Sequence, residues 1–172
     1  MRVIAGTHRG RRISAPKGDE TRPTSDRVRE NAFNLIGPVD EADVLDLFAG
    51  SGAMGLEALS RGAASATLVE SNREACRTIN ANLEKLKLKA TVLCQDAVRA
   101  ISRERRTYDL VLCDPPYDFD RSKLLPHLGG LLNEDGVLVW ETSGRADAPD
   151  VPGLEVRTSR KYGTARLTLF EL

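Results

Sequence analysis

Three glycines in one short segment have the spacing of a loop that binds a nucleotide or nucleoside. Gly50, Gly52 and Gly55 follow an apolar run at residues 44–48 and open a helix-forming segment. Glycines between a strand and a helix let the backbone approach a ligand closely. Glu70 ends the next predicted strand, where its carboxylate can accept hydrogen bonds from ribose hydroxyls. The same spacing satisfies the fingerprint of NAD-binding proteins, so the glycines alone leave two ligand classes open.

Two further carboxylates favour S-adenosylmethionine (SAM). Asp46 lies within the predicted strand before the glycines, where an anion gives a pyrophosphate binder no advantage but suits the cationic amino-acid end of SAM. Asp96 follows the third predicted strand and can accept a hydrogen bond from an adenine amino group. Either carboxylate could instead only cap a turn or a helix. The cofactor-binding residues that we predict are Asp46, Phe48, Gly50, Ser51, Gly52, Glu70, Ser71, Asp96 and Ala97.

The candidate catalytic residues are the tetrapeptide Asp114, Pro115, Pro116 and Tyr117, after the fourth predicted parallel strand. Two prolines can simply end a strand, but this sequence resembles the (Asp/Asn/Ser)-Pro-Pro-(Tyr/Phe/Trp) motif of methyltransferases that act on planar amines. An exocyclic amine on a base is a poor nucleophile because its lone pair is delocalised into the ring. The Asp114 carboxylate and the Pro115 carbonyl would accept its two N–H groups, and Tyr117 would stack on a base taken out of its helix. We expect SAM as cofactor, S-adenosylhomocysteine as product and no metal.

The elements that must position these residues alternate between strand and helix. A helix at residues 26–36, capped by Ser25, precedes the alternation. The predicted strands are 44–48, 66–70, 90–94, 110–113 and 136–141, and the helices between them are 53–61, 73–86, 97–103 and 121–132. Short apolar strands separated by helices indicate a parallel sheet covered on both faces. Two alternating segments, 154–160 and 165–172, predict a terminal antiparallel hairpin. The predicted fold class is a doubly wound α/β domain with a basic N-terminal β-hairpin.

The charge of this 172-residue chain is zero in total but uneven along the sequence. A neutral total argues against a protein that coats nucleic acid over its whole surface. Residues 1–30 nevertheless carry a local charge of +4 and the remainder −4, and the first eighteen residues contain no acid. We therefore divide the chain into a nucleic-acid-binding arm, 1–24, and a catalytic domain, 25–172. The arm residues predicted to contact phosphate are Arg9, Arg11, Arg12, Lys17 and Arg22.

Other features of the sequence predict compartment and core. No apolar run approaches the roughly 18 residues of a membrane span, and the first residues lack a signal-peptide core. Cys76, Cys94 and Cys113 form no Cys-x-x-Cys pair, so we expect no disulfide framework or zinc knuckle. We expect Cys94 and Cys113 to be buried in a cytoplasmic monomer without a membrane partner. Trp140 is predicted to lie in the core, and His8 to contact phosphate or solvent.

Beyond these motifs, the chain resembles the RsmD-type methyltransferases, which modify guanine N2 in the small-subunit (16S) ribosomal RNA of bacteria. The resemblance covers almost the full length, and residues 22–30 are its most specific part because general methyltransferase chemistry does not require them. It also includes residues 2–6 with Gly10 and Arg11, residues 44–62, the tetrapeptide and residues 161–163. The family implies a class I methyltransferase sheet of order 3-2-1-4-5-7-6 and an N-terminal hairpin that helps to hold RNA.

The resemblance also implies a role for each predicted site residue. Asp46, Gly50 and Gly52 would hold the methionine end of SAM, Glu70 the ribose and Asp96 the adenine. The tetrapeptide would bind the target amine, at guanine 966 of 16S rRNA in the small subunit or its precursor. Arg22 and Thr24 could instead cover the cofactor. One feature departs from the family pattern: the total charge is neutral, and Asp118 and Asp120 lie beside the tetrapeptide. Tight binding to naked RNA needs positive charge, so this feature favours a folded ribonucleoprotein as substrate.

Three other functions fit parts of the sequence. A DNA adenine or cytosine amine methyltransferase would use the same motifs, but little chain remains outside the catalytic core to read a DNA sequence. An NAD-dependent oxidoreductase would need only the glycine loop and Glu70. A non-catalytic ribosome-assembly factor could retain the SAM-binding fold without turnover.

Overall fold

The computed structural model describes residues 1–17 and 25–172, whose strands form one seven-stranded sheet. The strands are β1 (Asp43–Asp46), β2 (Ser65–Glu70), β3 (Thr91–Cys94), β4 (Tyr108–Cys113), β5 (Leu132–Ser143), β6 (Glu155–Tyr162) and β7 (Ala165–Glu171). The helices are α1 (Asp26–Ile36), α2 (Ala53–Ser60), α3 (Arg73–Leu86), α4 (Ala97–Arg103) and α5 (Leu125–Leu128). The sheet order is β3-β2-β1-β4-β5-β7-β6, which confirms the predicted α/β class and strand order.

Helices cover both faces of the sheet, as its continuously apolar strands require. β1 to β5 pair in parallel, whereas β7 is antiparallel to both β5 and β6. One core lies between the sheet and α1, α2 and α3, and the other lies beneath α4 and α5. Trp140 is fully buried in the second core, as predicted. Because β1 to β5 are parallel, their carboxyl ends lie together at one end of the strands.

The predicted helix 121–132 is broken in the structure. Arg121–Lys123 and Gly129–Leu131 are 3-10 turns on either side of the four-residue α5. Gly129 and Gly130 weaken a helix in this segment because glycine loses more backbone freedom than other residues on folding. Leu132 already belongs to β5, which pairs with Tyr108 of β4.

The cysteine prediction was wrong on two points. Cys76 and Cys94 form a disulfide, with their Cα atoms 6.0 Å apart. Cys94 is exposed because β3 is the edge strand of the sheet. The parallel register pairs Cys94 with Glu70, and α3, which carries Cys76, begins shortly after Glu70. Only Cys113 is buried as a free thiol among the described residues, as predicted.

The first seventeen residues fold back on themselves and pack on the helices. Arg2 and Arg12 form an antiparallel bridge, and the Val3 N–H donates to the Arg11 carbonyl at 2.9 Å. Val3 and Ile13 are buried in the same core as α1, α2 and α3. None of the helices in the described part of the chain combines the length and the apolarity that a membrane crossing requires.

Candidate functional site

The glycine loop between β1 and α2 forms an open cradle beside Glu70. Gly50 has φ 57° and donates its N–H to Glu70 Oε1 at 2.9 Å. Gly52, with φ 84°, stands at the N-cap of α2. A Cβ on Gly50 would meet no atom within 4 Å, so the space above this glycine is open to a ligand. Both glycines adopt left-handed backbone conformations that other residues rarely take.

The third glycine has a different role, in packing the helix on the sheet. A Cβ on Gly55 would lie 2.2 Å from Leu68 Cδ2 of β2. Glycine therefore allows α2 to approach β2 closely, which is the role of the last glycine in nucleotide-binding loops.

Asp46 ends β1 directly beneath this loop. Its side chain is buried, and burial raises the pKa of the carboxyl to about 7 although the backbone N–H groups of Phe48 and Gly55 bind it. The nearby Glu70 carboxylate raises the pKa of Asp46 further. These contacts brace the loop, and a cation placed above it would favour the ionised carboxylate.

Glu70 and Asp96 lie at the carboxyl ends of neighbouring strands, as the sequence predicts. Glu70 is half-buried, and its second oxygen accepts the Asn72 N–H at 2.8 Å. Asp96 is exposed at the N-cap of α4 and accepts the Arg99 N–H at 3.0 Å. The capping role that the sequence left open for Asp96 is thus present in the structure, and its contact with adenine stays a prediction.

The predicted catalytic loop follows β4. Pro115 is buried and anchors the loop, whereas Asp114 is exposed and the side chain of Tyr117 is 74% exposed. The Phe119 N–H donates to the Pro116 carbonyl at 3.0 Å, which closes a turn around Tyr117. An exposed aromatic ring on a turn fixed by two prolines is suited to stack on a planar partner.

The glycine loop and the predicted catalytic loop are in contact. β1 and β4 are adjacent, and Asp46 pairs with Leu112, two residues before Asp114. The ring of Phe48 packs edge-on against Phe119, with ring centroids 5.1 Å apart. The sequence did not single out Phe119, because a lone phenylalanine in a polar loop carries no motif.

Cys113 is the last residue of β4 and lies near both Asp114 and Asp46. It is not a nucleophile. Its thiol is buried, and burial raises the pKa of this thiol well above its usual value. The charges of Asp114 and Asp46 raise the pKa of Cys113 further. Since the thiolate is the reactive form, the thiol is inert here.

Four of the five predicted phosphate-contacting residues lie on the surface of the described chain. Arg9, Arg11, Arg12 and Lys17 are exposed, and Arg11 donates to the Lys85 carbonyl at the end of α3 at 3.1 Å. The prediction for Arg22, and with it Thr24, lies outside the described residues.

The prediction for His8 was incomplete. Its ring Nε2 lies 2.8 Å from the Leu86 carbonyl, and its Nδ1 lies 2.8 Å from the Thr7 hydroxyl. Because a carbonyl only accepts, Nε2 is the protonated nitrogen in this contact. His8 therefore helps to attach the N-terminal segment to the end of α3.

Two buried polar residues that the sequence did not reveal attach the N-terminal segment to the helices around the glycine loop. Glu57 of α2 is completely buried, and its oxygens accept the N–H groups of Ile4 at 2.8 Å and Ala5 at 3.0 Å. Glu57 also pairs with Arg29 at 3.4 Å and Arg61 at 2.8 Å. Arg29 counted as part of the basic N-terminal region in the sequence, but this buried network removes it from the surface.

Asn82 of α3 makes the second attachment. Its amide accepts the Ser14 N–H at 2.9 Å and donates to the carbonyls of Ser14 and Ser51, each at 3.0 Å. Ser51 belongs to the glycine loop, so one side chain holds both the loop and the N-terminal segment. Within residues 1–17 and 25–172, no cluster of three or more His, Cys, Asp or Glu side chains could hold a metal ion.

Comparison with known proteins agrees with this geometry. The family model described as "Conserved hypothetical protein 95" matches residues 1–171. The chain is 43% identical over 143 residues to "Ribosomal RNA small subunit methyltransferase D" of Escherichia coli K12, which covers 82% of this chain and 71% of the relative. The chain belongs to the RsmD-type methyltransferase family.

Two further relatives of this RsmD-type chain cover nearly its whole length. It is 39% identical over 181 residues to "Putative rRNA methyltransferase YlbH" of Bacillus subtilis strain 168, covering 99% of this chain and 98% of the relative. The solved structure "Putative methyltransferase yhhF from Escherichia coli" is 35% identical, with a TM-score of 0.89 over 99% of this chain and 96% of that one. The family resemblance and the class I methyltransferase fold predicted from the sequence are thus confirmed.

Proposed function

We propose that this protein transfers a methyl group from SAM to the exocyclic N2 of a guanine in 16S rRNA, in the small ribosomal subunit or its precursor. The relatives named as ribosomal RNA methyltransferases support rRNA as the substrate. The observation that carries the proposal is the contact between the two loops, through Phe48 and Phe119, at the carboxyl edge of β1 and β4. The proposal places the protein in the cytoplasm as a monomer and takes guanine 966 as the target.

The residues at the glycine loop fit SAM. The open space above Gly50 can admit a ligand against the backbone, and Asp46 and Glu70 provide carboxylates on either side of the loop. In the proposal, Asp46 faces the cationic amino-acid end, Glu70 binds the ribose and Asp96 binds the adenine. SAM, when bound, supplies an electrophilic methyl group with a good leaving group, so the protein has to bind and orient rather than activate a nucleophile covalently.

Asp114 and Pro115 would orient the target amine. The Asp114 carboxylate accepts one N–H of the amine, and the Pro115 carbonyl accepts the other. Because Pro115 is buried and its ring fixes the backbone, its carbonyl is held in place before the substrate arrives. Two acceptors aligned in this way favour a pyramidal nitrogen whose lone pair is available for attack.

Tyr117 would hold the base itself. Its exposed ring can stack on a guanine taken out of its helix, at the turn that Phe119 and Pro116 close. The exposed cations Arg9, Arg11 and Arg12 would contact phosphates, and the neutral total charge favours a preformed ribonucleoprotein surface over naked RNA.

Calorimetry and a transfer assay test this proposal together. The protein is titrated with SAM and with NAD, and is then incubated with radiolabelled SAM and small subunits from cells that lack this methylation. We expect SAM binding, no NAD binding and label in the rRNA. NAD binding without SAM binding would overturn the proposal in favour of an oxidoreductase, and SAM binding without transfer would favour an assembly factor.

A further inference from the structure

A cleft between α1 and the β6–β7 turn lies outside the residues assigned so far. It has a volume of about 360 Å³ and is lined by the start of α1 and by Tyr162, Gly163 and Thr164. This volume lies within the range of roughly 300–1,000 Å³ that is usual for small-molecule sites. We infer that this cleft binds a nucleotide of the RNA strand beside the target base, an inference that rests on the proposed function.

The residues that line the cleft have the chemistry of a nucleotide site. Arg27 and Asn31 are one helical turn apart and share a face of α1, with Arg27 exposed. Arginine binds phosphate with a forked set of donors, and asparagine can both donate to and accept from a base edge or a 2′-hydroxyl. The charged residue among the described lining residues is the cation Arg27, which favours an anion.

Tyr162 provides the aromatic surface. It is half-buried and packs against the core between the sheet and α1. It pairs with Ala165, and the exposed Arg160 pairs with Leu167, which belongs to the same core. Cross-strand partners share a face, so Tyr162 and Arg160 both lie on the α1 side of β6. A ring fixed by packing, with Arg27 lining the same cleft and Arg160 two residues earlier on the same face of β6, is suited to stack on a base while the phosphate is bound.

The sheet register sets the separation between the cleft and the catalytic loop. Cys113, which precedes Asp114, pairs with Trp140, and Ser143 pairs with Ala165 at the β6–β7 turn. The turn therefore lies three residues of β5 beyond Cys113 and two strands away, or about 15 Å from it. A few nucleotides of a single strand cover this length. The cleft and Asp114 both lie at the carboxyl end of the parallel strands, so a single strand of RNA can reach both.

The test compares variants of the cleft with a matched arginine elsewhere. Arg27→Ala and Tyr162→Leu remove the phosphate contact and the stacking surface, and Tyr162→Phe keeps the ring. Arg105→Ala removes an exposed arginine just before β4, at the opposite edge of the sheet. Binding to purified small subunits is measured by co-sedimentation, and steady-state methylation gives separate KM values for subunits and SAM.

We expect Arg27→Ala and Tyr162→Leu each to weaken subunit binding about tenfold and to raise the KM for subunits, with the KM for SAM unchanged. Tyr162→Phe and Arg105→Ala should stay within about twofold of the parent. Equal binding by parent and cleft variants would overturn the inference while leaving methylation intact. Absence of methylation with variant-dependent binding would instead reject the proposed function alone.

A second probe distinguishes RNA from protein as the occupant. The same variants are tested for binding to deproteinised 16S rRNA. A loss of affinity for both subunits and rRNA supports the RNA assignment. Binding of deproteinised rRNA by the parent that the cleft variants do not reduce, while their affinity for subunits falls, would show that a ribosomal protein occupies the cleft and would overturn the assignment.

Discussion

Asp46 is the site residue whose ionisation the fold most strongly opposes. Burial raises its pKa to about 7, whereas the same carboxyl in an unfolded chain titrates near 3.8. Between pH 3.8 and about pH 7, Asp46 is therefore protonated in the folded state and ionised in the unfolded state. The free energy of unfolding therefore falls as pH rises through this window, because ionisation of the unfolded chain is favoured.

Substitution of Asp46 by Asn should remove this pH dependence. Relative to Asp46→Asn, the parent without SAM should lose roughly 2 kcal/mol of unfolding free energy between pH 5 and pH 8. Urea denaturation at both pH values measures the difference. Asp118→Asn, at an exposed position, is the control and should follow the parent. A constant difference between parent and Asp46→Asn would contradict the raised pKa.

At the residue scale, the sequence was informative where chemistry requires a short motif. The glycine loop and the tetrapeptide could be found from residue types and spacing alone. Glu57 and Asn82 could not, because each acts through contacts with residues more than thirty positions away. A glutamate on a helix is normally an exposed residue, and only the tertiary structure shows that this one is buried.

At the scale of elements, α2 is fixed on both of its sides. Its sheet side requires Gly55, since a Cβ there would lie 2.2 Å from a Leu68 methyl group. Gly55→Ala should reduce the free energy of unfolding by about 1–3 kcal/mol because either α2 or the buried Leu68 side chain must shift. Urea denaturation checks this value. Gly130→Ala, where a Cβ would meet nothing within 4 Å, is the matched control and should have little effect.

The other side of α2 holds the N-terminal segment through Glu57. Glu57→Gln keeps the shape but removes one of the two carboxylates that pair with the buried Arg29 guanidinium, leaving Asp26 as the other. Loss of this buried charged hydrogen bond should reduce the free energy of unfolding by about 1–3 kcal/mol. The exposed substitution Glu74→Gln should change it by less than about 1 kcal/mol.

Hydrogen exchange provides a second measurement on the Glu57 variant. The amides of Ile4 and Ala5 donate to this carboxylate, so they should exchange faster in Glu57→Gln. Unchanged protection at both amides would show that Glu57 does not hold the N-terminal segment.

Most element boundaries could be predicted, because hydrophobic periodicity and capping residues are local signals. The sequence placed α1, α3 and α4 correctly, including the Ser25 cap. It failed at residues 121–132, where glycines interrupt an apolar pattern, and at β5, which extends by pairing with β4 and β7. The Cys76–Cys94 disulfide was missed because it depends on the register of β2 and β3.

At the scale of the whole molecule, charge is distributed in a way that the total conceals. The N-terminal segment carries exposed cations, and two further exposed arginines, Arg27 and Arg160, are near the β6–β7 turn. The inferred cleft adds a second contact to the single basic end predicted from the sequence.

Replacement of Arg9, Arg11 and Arg12 by Ala should weaken binding to small subunits and reduce its salt dependence. Each lost phosphate contact lowers the slope of log affinity against log salt by about one. Binding at several salt concentrations measures this slope. An unchanged slope would show that the N-terminal segment does not contact phosphate.

The central claim is that the protein transfers a methyl group from SAM to a guanine amine, which Asp114 and its neighbours hold. The most direct measurement is mass spectrometry of the nucleosides from small subunits incubated with SAM and either the parent or Asp114→Ala. We predict N2-methylguanine at a single position with the parent, a rate reduced about 100-fold or more with Asp114→Ala, and unchanged SAM binding by this variant. A methyl group on adenine, or equal methylation by the variant, would contradict the account.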